Sequence, residues 1–531
     1  MTGAEIIGQA LAAAGATHAF GIPGGEVLAV MEGLDKAGLE FVLTKHENAA
    51  GFMAEGLWHA TGALPVLVAT LGPGVANAVN VVANAHQDKV PMIFLTGCVD
   101  AAEAETYTHQ VFDHQEMLRP VVKASFRAQS GAVGAAMAKA IAIATSGQPG
   151  PVHIDVPITV AEAVSRGDAV LPLVEASSVQ PTVDQLAVAR QALLAAKRPI
   201  AIAGVDAVNQ CAGGDISAFC KAQGIPLITT YKGKGLMDET DPCCLGGAGL
   251  SPKADGVLLP LIGQSDCVLL LGYDPIEMRI GWRDPWRNDQ TVIEVTEVER
   301  THGMHQASMV LRGSIAPILD ALSGDGDAPP RWTDGGVAQA QQQLASAFTS
   351  AVWGPGKVFE VLRAVMPDET VVTADSGAHR ILLSQVWKCP TPRGMLQSTG
   401  LCTMACSVPL AMGHAIGSDA PVVAFVGDAG LEMGVGELAT LRDLGLPLII
   451  CVLVDESLSL IELKQRGTQR ANLGVDFGGT DFPAVAMAMG GHGVWVDDAE
   501  TLQHEAQQAL DRDGFTLLAC RIGKGAYDGT F

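Results

Sequence analysis

Short, largely apolar runs bounded by turn formers recur along this chain, and they constrain its fold more than any other feature. In the first third stand Pro65-Val-Leu-Val-Ala-Thr70 and Met92-Ile-Phe-Leu-Thr96. Pro199-Ile-Ala-Ile-Ala203, Cys267-Val-Leu-Leu-Leu271 and Thr291-Val-Ile-Glu-Val295 follow in the middle. The last part carries Thr370-Val-Val-Thr-Ala374, Pro421-Val-Val-Ala-Phe-Val426 and Leu448-Ile-Ile-Cys-Val-Leu-Val454. Strands without alternation are buried on both faces, and Ala-rich helical stretches lie between them, which is the pattern of parallel sheets with crossover helices. A chain of 531 residues is too long for one core. The pattern predicts an α/β protein of three doubly wound parallel-sheet domains, over 1–165, 182–323 and 352–531. Polar stretches around Ala176 to Pro181 and Ser323 to Pro330 are the expected linkers.

Composition excludes several classes of partner. Apolar residues make up 48% and charged residues 17%, so a large interior must be sequestered, while a net charge of -24 speaks against nucleic acid or an anionic membrane. No apolar run reaches the 18 or so residues that a spanning helix needs, and the N-terminus lacks a secretory pattern. The eleven Cys are scattered without a C-x-x-C pair, so reduced thiols in a cytoplasmic protein are expected.

The most specific chemistry lies in the last block. The strand ending at Val426 runs into Gly427-Asp428-Ala429-Gly430, a helix carries Gly436-Glu437-Leu438-Ala439-Thr440, and the next strand ends at Asp455-Glu456-Ser457. Ligands of open parallel sheets sit beyond the carboxyl ends of strands, so two acids 27 residues apart can converge on one cation. Oxygen ligands of this kind suit magnesium or calcium, and magnesium often bridges carboxylates to phosphate. The stretch resembles the thiamine-diphosphate fingerprint, Gly-Asp-Gly followed by Asn. That resemblance implies Asp428 as a metal ligand, Asp455 in the Asn position and Ser457 as a backbone-carbonyl ligand. It makes Gly427, Ala429, Gly430 and Leu460 cofactor-binding residues. Ala429 and Asp455 depart from the pattern, and a second charge about 5 Å from its neighbour at an effective dielectric of about 20 is worth roughly 3 kcal/mol.

The first block supplies a matching half. Thr44-Lys-His-Glu-Asn-Ala-Ala-Gly-Phe-Met-Ala-Glu-Gly56, with Leu71-Gly72-Pro73-Gly74, Asn77 and Asp88 to Gly97, resembles the activating segment of the acetolactate synthase superfamily. The resemblance implies a pyrimidine-binding first domain, a central domain and a diphosphate-binding third domain. Glu47 would hold N1′ of the coenzyme's aminopyrimidine, making the 4′-amino group a base for the thiazolium C2 proton. Gly72 and Asn77 would be coenzyme contacts. Gly400-Leu-Cys-Thr-Met404 is similar to the segment that holds the coenzyme bent, with Met404 as the wedge, the Cys402 carbonyl on the 4′-amino group and Met433 a second apolar contact. Asp375-Ser-Gly-Ala-His379 implies Ala378 and His379 at the diphosphate. In this family the halves of each site come from two subunits, which implies a homodimer or homotetramer with active sites at the interface. The middle block lacks G-x-G-x-x-G and resembles flavin-free members, which speaks against bound FAD.

Substrate is less constrained. Glu26, in the Phe20-Gly-Ile-Pro-Gly-Gly-Glu26 loop, would stand near the reacting carbon and handle a proton or repel a carboxylate; a plain helix-start acid is the competing reading. Gln110 matches a residue that reaches the donor substrate. Lys464 stands where biosynthetic acetolactate synthases carry a Trp, and Ile461 where pyruvate decarboxylases carry a catalytic Glu. The leading expectation is a carboligase acting on short 2-keto acids, by decarboxylation and then addition to a second carbonyl. A lyase or ligase of 2-hydroxy ketones or 2-hydroxyacyl-CoA, like benzaldehyde lyase, is the alternative. A non-catalytic homologue with a decayed site is the alternative of another class.

Overall fold

The computed structural model describes residues 1–173, 179–299, 302–323 and 329–531. Of the two expected linkers, 176–178 and 324–328 lie outside the described residues. Three six-stranded sheets, each wholly parallel, carry α-helices between most successive strands, as the sequence pattern predicts. The first sheet comprises β1 (His18–Ile22), β2 (Glu40–Leu43), β3 (Val66–Ala69), β4 (Met92–Cys98), β5 (Ala124–Arg127) and β6 (Pro151–Pro157). Its spatial order is β2-β1-β3-β4-β6-β5. The second comprises β7 (Pro199–Ala203), β8 (Leu227–Thr229), β9 (Cys244–Gly247), β10 (Cys267–Leu271), β11 (Thr291–Thr296) and β12 (Met309–Arg312), ordered β12-β11-β10-β7-β8-β9. Among the described residues, β8–β9, β10–β11 and β11–β12 are joined without an α-helix. The third comprises β13 (Val371–Ala374), β14 (Met395–Gln397), β15 (Val422–Gly427), β16 (Ile449–Val454), β17 (His492–Val496) and β18 (Thr516–Arg521), ordered β14-β13-β15-β16-β18-β17.

The central strands are buried along their whole length, as in β4, β6 and the six residues of β16. Burial on both faces removes any need for polar alternation, which is why these strands are apolar throughout. Counted along the chain, the first and third sheets share one strand order, a structural duplication with no visible sequence repeat. In both, the order reverses between the first and third strands. Such a reversal opens a crevice at the carboxyl ends of the strands, where ligands of doubly wound sheets bind.

One helix crossing ties the first unit to the third. Helix Glu47–Thr61 packs on helix Ser407–Gly417, with glycines at the contact. A Cβ on Gly56 would lie 2.1 Å from the Leu410 carbonyl oxygen, and one on Gly413 would lie 1.9 Å from that of Met53. A buried polar junction involves all three units. Asp88 accepts from the Thr399 N–H (3.1 Å), the Thr399 hydroxyl (2.8 Å) and the Gly400 N–H (2.8 Å), and pairs with Lys232 at 2.9 Å. The loop at Gly400 is thereby fixed from the first sheet. Among the described residues no helix is long and apolar enough to cross a membrane.

Candidate active site

At the reversal point of the third sheet, β15 ends directly at Asp428, which opens helix Asp428–Gly434. Its Oδ2 accepts the N–H groups of Asp455 (3.0 Å) and Glu456 (2.7 Å) beyond β16, and its Oδ1 accepts that of Ala429 at 2.9 Å. One carboxylate therefore joins two strand ends. Asp455 accepts from the Ser457 N–H at 3.3 Å and from the Ser459 hydroxyl. Both acids are buried, and burial raises both carboxyls. Asp455 is pushed up to about 7, by burial first; the Ser459 hydrogen bond opposes the shift and the charge of Asp428 adds to it. Two desolvated carboxylates repelling one another form a donor set suited to a hard divalent cation.

Around these acids lies a cavity of about 360 Å³ with polar atoms that nothing satisfies. Ser376 Oγ, His379 Nε2 and Ser457 Oγ have no hydrogen-bond partner among the described residues. His379 lies in the first turn of helix Ala378–Val386, and burial, with Arg380 beside it, pushes its imidazole down to about 4, so it is neutral at pH 7. Buried polar groups are rarely left unpaired, and three such groups around two carboxylates fit an oxygen-rich ligand carried with a cation. Ala378, Cys402, Met404, Gly427, Ala429, Gly430 and Leu460 share this cavity with His379 and Ser457. Ile461 and Lys464 join its wall, as do Leu250 and Arg279 from the second unit. Met433 is 64% exposed and is not among the residues lining the cavity.

The loop before Met404 is held by side chains the motif did not single out. Arg380 donates to the Ser398 carbonyl (2.8 Å) and to Cys402 Sγ (3.3 Å), and Cys402 sits at a left-handed φ of +58°. Asp375 lines the cavity too, but its carboxylate is engaged: it accepts the N–H groups of Ala405, Cys406 and Ser407 at 2.7–3.1 Å and anchors helix Ser407–Gly417. Glu437 has a similar structural task, accepting the Lys45 N–H at 3.0 Å and so joining the first unit to helix Glu437–Leu444.

The first sheet presents a different constellation at its own reversal point. Glu47 is the first residue of helix Glu47–Thr61, 5% exposed, with His46 capping the helix by accepting the Asn48 N–H at 3.1 Å. Asn77 donates to Glu47 Oε2 at 3.0 Å, from helix Pro73–Gln87. Glu26 lies beyond β1 and accepts the Thr70 hydroxyl at 2.6 Å, which joins the two loops of the crevice. Gly72 has φ +69°, and a Cβ there would lie 2.6 Å from the Gln110 carbonyl oxygen. Gln110 is itself at φ +60° and exposed.

Within one chain the two halves stay apart. No residue of the first unit lines the cavity around Asp428, so Glu47, Glu26 and Gln110 do not meet Asp428 and Asp455. Motif reading singled out none of Ser376, Arg380 and Ser459, though each lies within or beside a quoted stretch; Tyr527 joins the site only through the fold.

Comparison with known proteins agrees with this architecture. Residues 1–117, 186–322 and 375–520 match the profiles described as thiamine pyrophosphate enzyme N-terminal TPP binding domain, central domain and C-terminal TPP binding domain. The chain is 28% identical over 540 residues to an acetolactate synthase of Bacillus subtilis (strain 168), covering 97% of this chain and 92% of the relative. It is 28% identical over 552 residues to a probable acetolactate synthase large subunit of Methanococcus aeolicus, covering 98% and 91%. To the acetolactate synthase isozyme 1 large subunit of Escherichia coli (strain K12) it is 28% identical over 539 residues, covering 98% and 94%. With the three profiles in chain order over three parallel sheets, the chain belongs to the thiamine-pyrophosphate-dependent enzymes of the acetolactate synthase superfamily.

Proposed function

We propose that this carbon–carbon bond-forming enzyme is a carboligase of short 2-keto acids, with each active site completed by a second copy of the chain. The observation that carries the reading is the cavity at the third sheet's reversal point, lined by two buried carboxylates and by residues that carry buried polar atoms without partners. Asp428 and Asp455, with the Ser457 carbonyl, would hold magnesium or calcium. Ala378, His379, Gly427, Ala429 and Gly430 would bind the diphosphate, and Met404, the Cys402 carbonyl and Leu460 the rings. When bound, thiamine diphosphate supplies a carbanion nucleophile for a carbonyl carbon.

The residues of this chain do the rest. Glu47, oriented by Asn77, holds a proton at the aminopyrimidine nitrogen. Gly72 and Asn77 complete the pyrimidine side. Gln110 and Glu26 face the donor keto acid, Glu26 being fixed by Thr70. Ile461 lines the cavity and has no proton to give, which favours addition to a second carbonyl over release of an aldehyde. Glu47 and Asp428 face different spaces within one chain, so a homodimer or homotetramer that pairs the first unit of one copy with the third unit of another completes the site. Exposed Leu43, Phe112, Met117, Met433 and Leu473 provide apolar surface for that contact.

Calorimetric titration with thiamine diphosphate and magnesium should show saturable binding that Asp428→Ala weakens by about 100-fold or more, on the scale of removing a metal ligand's charge. Incubation with pyruvate should then yield acetolactate and carbon dioxide. Cleavage of a 2-hydroxy ketone without decarboxylation would instead place the chain among the lyases, and absence of binding would sink the cofactor assignment.

A further inference from the structure

Beside the candidate substrate loop, a cavity of about 340 Å³ at the carboxyl ends of the first sheet is lined by Leu71, Gln110, His114, Arg127 and Asp155 among others. His114, His153 and Asp155 cluster there closely enough to look like a metal site. Hydrogen positions decide otherwise. The Gly72 backbone N–H points at His114 Nε2 at 3.2 Å, so that nitrogen accepts and carries no hydrogen. Nδ1 then holds the ring's hydrogen and donates to Asp155 Oδ1 at 2.8 Å. Thr96 donates its hydroxyl to the same oxygen at 2.7 Å and accepts from His153 Nε2 at 2.8 Å. His153 Nδ1 accepts from the Ser125 hydroxyl at 2.8 Å, and Ser125 accepts from the Gln115 amide at 3.2 Å.

Every ring nitrogen is thus engaged, with one consistent direction of donation, and neither imidazole keeps a free lone pair for a metal. Burial alone would raise the Asp155 carboxyl, but the hydrogen bond from His114 and the nearness of His153 more than offset it and hold the group below the usual carboxylate range. Asp155 is therefore an anion that fixes the His114 tautomer. The other end of the chain of bonds is Gly72, which has no side chain and packs directly against the Gln110 backbone. His114, four residues past Gln110, is 5% exposed and Asp155 4%.

We propose that His114 is a positioning residue for the 2-keto acid donor: through Gly72 it sets where Gln110 meets the substrate, and Asp155 keeps its accepting nitrogen aimed at Gly72. This inference rests on the reading of Gln110 as a substrate contact. Proximity effects make small misplacements expensive, since a shift near 1 Å can lower turnover by about 100-fold.

Two amide substitutions separate the role from simple packing. Glutamine at 114 places an oxygen near the position of Nε2 and can still accept from Gly72, whereas asparagine places a nitrogen near Nδ1 and keeps only the Asp155 bond. His114→Gln should lower kcat/KM for pyruvate by about threefold, and His114→Asn by about 10- to 100-fold, with thiamine diphosphate affinity unchanged by calorimetry. The loss should appear in KM as well as kcat, and Tm should not rank the variants in the same order. Gln110→Ala, measured alongside, should match the Asn variant. If Gln110→Ala is fully active, the reading of Gln110 is wrong and the inference falls with it. If Gln110→Ala is impaired while the Gln and Asn variants are equally active, or if activity simply follows Tm, the positioning role of His114 is overturned and the Gln110 reading survives.

Discussion

The first and third sheets have the same strand order and use the same reversal point, yet they treat polar groups there in opposite ways. At the first sheet three of the polar groups are satisfied internally, Glu47 by Asn77, Glu26 by Thr70 and the Gly72 N–H by His114, while Asn48 Oδ1 beside Glu47 is not. At the third, Ser376, His379 and Ser457 each keep an unpartnered polar atom, and two acids are raised by burial. An unsatisfied buried donor or acceptor costs roughly 1–3 kcal/mol. A fold that keeps three of them in one cavity is organised around a ligand. The first sheet is organised to present a few side chains at fixed places. On the proposed function one half binds and the other acts, and the difference predicts which substitutions damage affinity and which damage rate.

The largest effect should come from the acting half. Glu47→Gln should reduce kcat by about 10³-fold, within the range of general acid–base contributions, while calorimetric affinity for thiamine diphosphate changes little. Retained turnover would break the assignment of roles. The binding half should instead reveal itself in the stability of the apo protein. Asp455 is held at about 7 in the folded state against an ordinary 3.8, so between those values the folded protein keeps a proton that the unfolded chain has lost. Its stabilising contribution is complete below about pH 4 and is lost as pH rises through 7, by up to about 4 kcal/mol. Glu55, also raised to about 7 by burial, acts with the same sign and remains in both proteins. Urea midpoints at pH 5 and pH 8 in chelator should therefore differ less for Asp455→Asn than for the parent. Identical differences would remove Asp455 from the account.

What could be read from the sequence follows from how local each feature is. Strands such as Ile449–Val454 declare themselves because both faces are buried, while the edge strand Ala124–Arg127 is half-buried throughout and carries no such mark. Asp428 and Glu47 sit in contiguous motifs, so an expectation could be stated for each residue by number. The network at His114 allowed none: Thr96, His114, Ser125, His153 and Asp155 come from three strands and a helix, and no spacing announces that they meet. Met433 was expected at the coenzyme because of its motif position, but helix Asp428–Gly434 turns it outward, 64% exposed. Glu437 belongs to the most recognisable helix of the fingerprint, yet its carboxylate joins two units through Lys45. The shared strand order of the outer sheets is a property of topology and leaves no trace in local composition.

A smaller effect tests how the halves are held together. The crossing of helices Glu47–Thr61 and Ser407–Gly417 depends on missing side chains. Gly56→Ala would bring a methyl within 2.1 Å of a backbone carbonyl that cannot swing aside, and should destabilise the protein by about 2–3 kcal/mol. Gly256, inside helix Pro252–Gln264, has nothing within 4 Å of an added Cβ, so Gly256→Ala should be neutral or slightly stabilising. Equal Tm values for the two variants would show that the close approach is not a constraint.

The smallest expected effect concerns a single bond in the acting half. Asn77 donates one hydrogen bond at 3.0 Å to Glu47 Oε2, while Oε1 lies beside the helix start at Gly74. Removing that donor leaves a buried carboxylate free to rotate about its side-chain torsions, and a hydrogen bond to a charged group is worth about 1.5 kcal/mol or more. Asn77→Ala should lower kcat by about 10-fold and, because Asn77 also stands on the pyrimidine side, lower cofactor affinity by a smaller factor. Asn77→Asp places a second carboxylate against the first and should be worse than alanine, with the deficit shrinking as pH falls and the pair takes up a proton. If alanine and aspartate behave alike at all pH values, the orientation of Glu47 is set by the helix alone, and the contrast between a satisfied acting half and an unsatisfied binding half narrows to Glu26 and His114.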